Sequence, residues 1–122
     1  MKEYVLTTKG KEYPVVASSR EEAFGKFFLS VKNGDIPISD LAHIVTLHSE
    51  EGEYPIATVP VVFLLGKLRF EDAVHNISSL LDVSLEAARN TLMYTLENVR
   101  WVIREVEKLE GSRDDEACRK KL

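Results

Sequence analysis

Residues 84–110 read SLEAARNTLMYTLENVRWVIREVEKLE, and this stretch decides the fold. Leu85, Ala88, Leu92, Leu96, Val99, Ile103 and Val106 recur at spacings of three and four, and Val102 and Leu109 widen the stripe. An α-helix completes a turn in about 3.6 residues, so these side chains share one face. Glu86, Arg89, Arg100, Arg104 and Glu107 gather on the opposite, solvated side. Ser84 offers a hydroxyl for the N-cap, and the helix is expected to end at Glu110, before Gly111. A stripe of this length needs a second layer to cover it. One line on the helix stands apart: Ala87, Tyr94 and Trp101 fall seven residues apart and off the main stripe. Aromatic side chains anchor the centres of interfaces. The line either flanks the core and covers the neighbouring helix or sheet, or it is the candidate interface, with a second copy of the chain as the simplest partner and a homodimer as the expected state.

Upstream, residues Phe70 to Leu81 are predicted helical, with Ala73, Val74, Ile77, Leu80 and Leu81 turned inward. Pro60 suits the first turn of a short apolar helix reaching about Leu68, although the run Val61-Val62-Phe63-Leu64 also allows a strand. The segment His75-Asn76-Ile77-Ser78-Ser79-Leu80-Leu81-Asp82-Val83-Ser84-Leu85-Glu86-Ala87-Ala88-Arg89-Asn90-Thr91-Leu92 resembles a helix-turn-helix unit. Ile77 and the small Ser78 lie in its first helix, Leu81 precedes the turn, Val83 lies within it, and Ala88 and Leu92 lie inside its second helix. Asp82 stands where such units commonly carry glycine. The resemblance implies a second helix in the DNA major groove, with Leu85, Glu86, Arg89 and Asn90 as the reading positions.

The first half of the chain is of another kind. Glu3 to Thr8 alternates as a strand, Lys9-Gly10 turns, and Glu12 to Ala17 returns. Ser19-Arg20-Glu21-Glu22 forms a capping box for a helix that buries Phe24, Phe27, Phe28 and Val31 and stops at Asn33-Gly34. Strands follow at about His43 to His48 and Tyr54 to Thr58, around the turn Ser49-Glu50-Glu51-Gly52. The two hairpins echo each other in Tyr13-Pro14-Val15 and Tyr54-Pro55-Ile56. A proline cannot donate to a β-ladder, so both second strands are expected to be edge-safe. The expected class is α+β. An N-terminal ββαββ, mostly antiparallel sheet with one helix spans 1–58, and a layer of two to three helices, including the long last one, spans 59–110 of a single domain. Residues 111–122 are expected to be a charged, mobile tail.

Composition narrows the function classes. The chain has 122 residues, 44% of them hydrophobic, and a net charge of −4. It can bury a core. Its acidity opposes nonspecific attraction to nucleic acid and anionic membrane, so nucleic acid is a disfavoured partner. Glutamine is absent and Lys, Arg and Glu abound, which points to a thermophilic source. Met1-Lys2-Glu3-Tyr4 has no apolar leader pattern, the run Val59 to Leu65 is too short to span a bilayer, and Cys118 is the single cysteine. A cytoplasmic protein without a membrane partner is expected.

Chemistry leaves no signature. His43 and His48 point to opposite faces of the predicted strand, His48 with Glu50, Glu51 and Glu53 reads as a solvated acidic turn, and His75 reads as a helix-surface residue. No metal-ligand spacing, phosphate-binding loop or nucleophile motif is present, so no catalytic, metal or cofactor residue is assigned and no cofactor is expected. The expectation is a non-catalytic protein-interaction module that self-associates through its helical half. A DNA-binding regulator using 75–92 is the alternative, and an enzyme whose site is dispersed along the sequence comes third.

Overall fold

Two β-hairpins carry the first half of the chain. β1 (Lys2–Thr8) and β2 (Lys11–Ala17) are followed by α1 (Arg20–Lys32), a 3-10 turn (Ile38–Asp40), β3 (Ile44–Ser49) and β4 (Gly52–Ala57). Three further helices complete the order: α2 (Thr58–Leu64), α3 (Phe70–Leu81) and α4 (Leu85–Lys121). This computed structural model describes the backbone of residues 1–121 and the side chains of residues 1–111. The fold is α+β, with one four-stranded antiparallel sheet in the order β2-β1-β3-β4.

The prolines explain that order. Pro14 pairs with Val5 and Pro55 with Thr46, and each lies on an outermost strand. There the missing N–H costs no ladder bond and blunts the edge. The hairpins meet at the centre, where Leu6 faces Leu47. Lys9 and Gly10 both have positive φ, 50° and 75°, which matches the turn to the strand twist in the tightest kind of hairpin. Tyr4, Leu6, Thr8, Val45 and Leu47 are buried under the helices, and their alternate neighbours Val5, Thr7, Thr46 and His48 are half-buried on the other face.

α1 forms as its sequence dictates. Ser19 accepts from the backbone N–H of Glu22 at 3.2 Å, Phe24, Phe27, Phe28 and Val31 are buried, and Gly34 takes a φ of 86° beyond the Asn33 cap. The expected capping box is only half formed. The Glu22 carboxylate accepts from the Ser18 hydroxyl and pairs with Lys26 at 3.3 Å instead of reaching back to the cap.

The apolar run after β4 is a helix, not a strand, because β4 already forms the sheet edge and Pro60 fits an N-terminal turn. α2 stops at Leu64, short of Leu68, since Gly66 adopts a φ of 78° and donates to Phe63 O at 2.9 Å. Two hydrophobic clusters result. The larger joins the sheet, α1 and Val99, Val102 and Val106 of α4. The smaller joins Ala73, Val74 and Ile77 of α3 to Ala88, Leu92 and Leu96 of α4, with Val59 and Phe63 of α2 at its margin. Leu64 packs against both.

Three residues depart from the expected inward face. Leu80, Leu81 and Leu85 are exposed at the tip of the α3–α4 hairpin, where the cluster that α3 and α4 build together stops at Ile77 and Ala88. The helix also does not stop at Glu110. Gly111 lacks the left-handed backbone that would terminate it, and α4 extends to Lys121. The expected mobile tail, with Cys118, lies outside the residues whose side chains are described. Where α1 crosses α4, a Cβ on Gly25 would fall 2.8 Å from the Cβ of Glu105, so a glycine inside the helix permits the approach.

Candidate functional site

The α3–α4 turn is built to hold its shape. Asp82 adopts φ 54° and ψ 53°, the left-handed conformation usually given to glycine and tolerated by aspartate. Val83 N–H donates to Ser78 O at 3.1 Å, and the Ser78 hydroxyl donates to Val83 O at 2.6 Å. Ser84 then caps α4, its Oγ accepting from Ala87 N–H at 3.1 Å. A turn fixed from both sides presents its side chains at defined positions. Those side chains are apolar: Leu80, Leu81, Val83 and Leu85 are all exposed, and farther along α4 Met93 and Tyr94 follow, 54% and 74% exposed. Sequence periodicity hid this surface by placing both leucines of α3 on its inner face. The signal was four aliphatic residues within six positions around a polar turn.

The three residues of the aromatic line have different surroundings. Tyr94 stands in solvent and Ala87 is half-buried. Trp101 is also half-buried and meets Phe24 edge-on, with ring centroids 5.7 Å apart. Its remaining surface lines a cleft of ≈ 670 Å³ between β4, the start of α1 and α4, whose walls include Phe24, Tyr54, Ile56, Val99 and Asn98. Arg20 closes one side of it, its guanidinium 4.1 Å from the centroid of the Tyr54 ring and 3.2 Å from Glu21. The hydrogen bond to Glu21 raises the Arg20 pKa above the ordinary arginine value, against partial desolvation, with Tyr54 adding to the rise.

Leu85, Glu86, Arg89 and Asn90, the reading positions implied by the helix-turn-helix resemblance, are all exposed on the first turns of α4. Asp82 and Glu86 flank Arg89 there, which weakens any attraction to phosphate.

The histidines are dispersed. His43 precedes β3 and His75 is exposed on α3. On the uncovered face of the sheet, His48 Nε2 lies 2.8 Å from the Thr7 hydroxyl and Nδ1 lies 3.1 Å from Glu53. His48 and Glu53 are direct cross-strand partners, so the trio follows from register and forms a polar ladder on a flat surface. A second cleft, ≈ 620 Å³, lies at the other side of Arg20 and is lined by Lys2, Ser18, Ser49 and the carboxylates of Glu3, Glu21, Glu50 and Glu51. Among the described residues, no three His, Cys, Asp or Glu side chains are placed to hold a metal ion, and no helix is long and apolar enough to cross a membrane. No protein-family model, no curated protein and no solved structure matches this chain.

Proposed function

We propose that the protein is a non-catalytic interaction module that self-associates through its helical half. The observation that carries this reading is the exposed apolar surface of the α3–α4 hairpin, from Leu80 through Leu85 to Met93 and Tyr94. Scattered apolar residues on a surface need no explanation, but Leu80, Leu81, Val83 and Leu85 fall within six positions around one fixed turn, and Tyr94 stands exposed farther along α4. The sheet is a poorer place for association, because Pro14 and Pro55 blunt both of its edges. Within this reading Tyr94 is the central anchor, Ala87 is a small residue beside it, and Trp101 supplies an aromatic wall already braced by Phe24.

Molar mass by light scattering over a concentration series tests the proposal. The expected result is a dimer that becomes a monomer on Tyr94→Asp, with thermal unfolding unchanged under dilute conditions because Tyr94 supports nothing within its own chain. A parent chain that is monomeric at every concentration overturns the proposal. The alternative, a DNA-binding regulator, would replace it if the parent chain bound duplex DNA at low salt and lost that binding on Arg89→Glu.

A further inference from the structure

We infer that the cleft at the start of α1 is a binding site for a basic α-amino acid, with its α-carboxylate on the α1 N-terminus and its cationic groups on carboxylates around the β3–β4 turn. The cleft uses no residue of α3 or α4, so the site stands apart from the self-association proposed above.

Tyr4 carries the inference. It is 7% exposed and its ring belongs to the larger hydrophobic cluster, yet it also lines the cleft of ≈ 620 Å³. Its hydroxyl has no hydrogen-bond partner among the described residues. It is not sealed from solvent as the Thr58 hydroxyl is, and the open space it meets is the cleft. A buried tyrosine ordinarily satisfies its hydroxyl within the protein. Phenylalanine would fill the core as well, so the hydroxyl is aimed at something the chain does not supply.

The first turn of α1 lines the same cleft. Ser19 engages two of its N–H groups, accepting from Glu22 through the hydroxyl at 3.2 Å and from Ala23 through the carbonyl at 3.0 Å. The N–H groups of Arg20 and Glu21 have no partner among the described residues. Free N–H groups at a helix start favour a carboxylate. Lys2 adds a positive charge to the cleft, and it forms no ion pair among the described residues.

The opposite sign comes from Glu3, Glu50 and Glu51. All three are exposed, line the cleft and form no ion pair among the described residues. Arg20 and Glu21 neutralise each other at 3.2 Å. One lysine against three carboxylates then leaves a negative excess in the cleft. A simple anion is repelled by that excess, and a diamine leaves the α1 N–H groups unused. A molecule with one carboxylate and two cationic groups satisfies both sets, as lysine and arginine do. The cleft falls within the range of about 300–1,000 Å³ usual for small-molecule sites.

Isothermal titration calorimetry of the full chain at low salt tests the site. The probes are L-lysine, L-arginine, cadaverine, which lacks the carboxylate, and L-norleucine, which lacks the second ammonium. L-lysine or L-arginine is expected to bind saturably, one per chain, and each single-charge deletion about tenfold more weakly. Tyr4→Phe is expected to weaken the basic amino acid about fivefold and leave the thermal melt unchanged, since the hydroxyl bonds nothing within the chain. Glu51→Gln, on an exposed turn, is expected to lose about as much. Cadaverine binding as tightly as L-lysine would reduce the cleft to a general cation patch and overturn the amino-acid assignment. Absence of saturable binding by both basic amino acids overturns the site, as does undiminished binding in both variants.

Discussion

The two clusters along α4 differ in how completely they cover themselves. Around Val99, Val102 and Val106 the helix meets α1 and the sheet, where Phe27 stacks edge-on against Tyr13 at 5.3 Å and Phe28 at 5.1 Å. Around Ala88, Leu92 and Leu96 it meets a short helix of small aliphatic residues, with the Phe63–Phe70 pair at the rim and leucines in solvent at the tip. The first region has a sheet on one side and helices on the other, so its apolar residues have neighbours in every direction. The second is a helical hairpin with only α2 beside it. A self-sufficient region holds the fold together, while an incomplete one has apolar surface left to offer a partner.

Truncation should separate the regions most sharply. Phe28→Ala is expected to cost about 3–5 kcal/mol, and Leu92→Ala about 2–3 kcal/mol because its thinner surroundings can collapse into the gap. Denaturant titration of both variants measures the contrast, and equal losses would erase it. The helix crossing gives the next largest effect. Gly25→Ala gains helix propensity but drives a methyl into Glu105, a net loss of about 1–2 kcal/mol by calorimetry. A neutral result would mean that α1 and α4 can slide apart and that the larger cluster is softer than described.

Smaller changes probe the joint between sheet and helices. Among the described residues, the Thr58 hydroxyl is buried without a hydrogen-bond partner. Thr58→Val keeps its shape and should raise stability by about 1 kcal/mol, read as a higher melting temperature. The smallest effect concerns pH. The Ser18 hydroxyl, helped by Lys26 and opposed by desolvation, holds the Glu22 carboxyl below the usual carboxylate range. A carboxyl with a depressed folded-state pKa stabilises fully above its unfolded pKa, and that contribution fades as pH falls through the folded value. Ser18→Ala should therefore remove a small stabilisation that is fully present near neutrality and vanishes once the pH falls below the folded value, read as a difference in denaturant midpoint between the two variants that closes at acid pH.

Much of this architecture was legible because local rules and tertiary outcome agreed. The phenylalanine stripe of α1, the alternation of β1 and the glycine stop after Asn33 each reflect steric or burial constraints within a few residues. The strand order was left open by the sequence, because a proline can sit on an edge strand or turn its missing N–H outward; the structure places both prolines on edge strands, in the order β2-β1-β3-β4. The surface at the α3–α4 tip was not legible in the same way. Periodicity tells which face a leucine takes on its helix and says nothing of whether another element stands opposite that face. Leu81 and Ile77 obey the same pattern, yet Ile77 is buried and Leu81 is 52% exposed.

The sequence by itself determined most of the elements, the α+β class and the continuous face of the last helix, because periodicity and capping act over short stretches of chain. Only the tertiary structure decided that the run after β4 is a helix and that Gly25 sits at a helix crossing. It also decided that Trp101 braces Phe24 beside a cleft while Tyr94 stands in solvent, although the two share one helical line. Burial depends on which distant segment arrives opposite a side chain, and that is settled by the packing of whole layers.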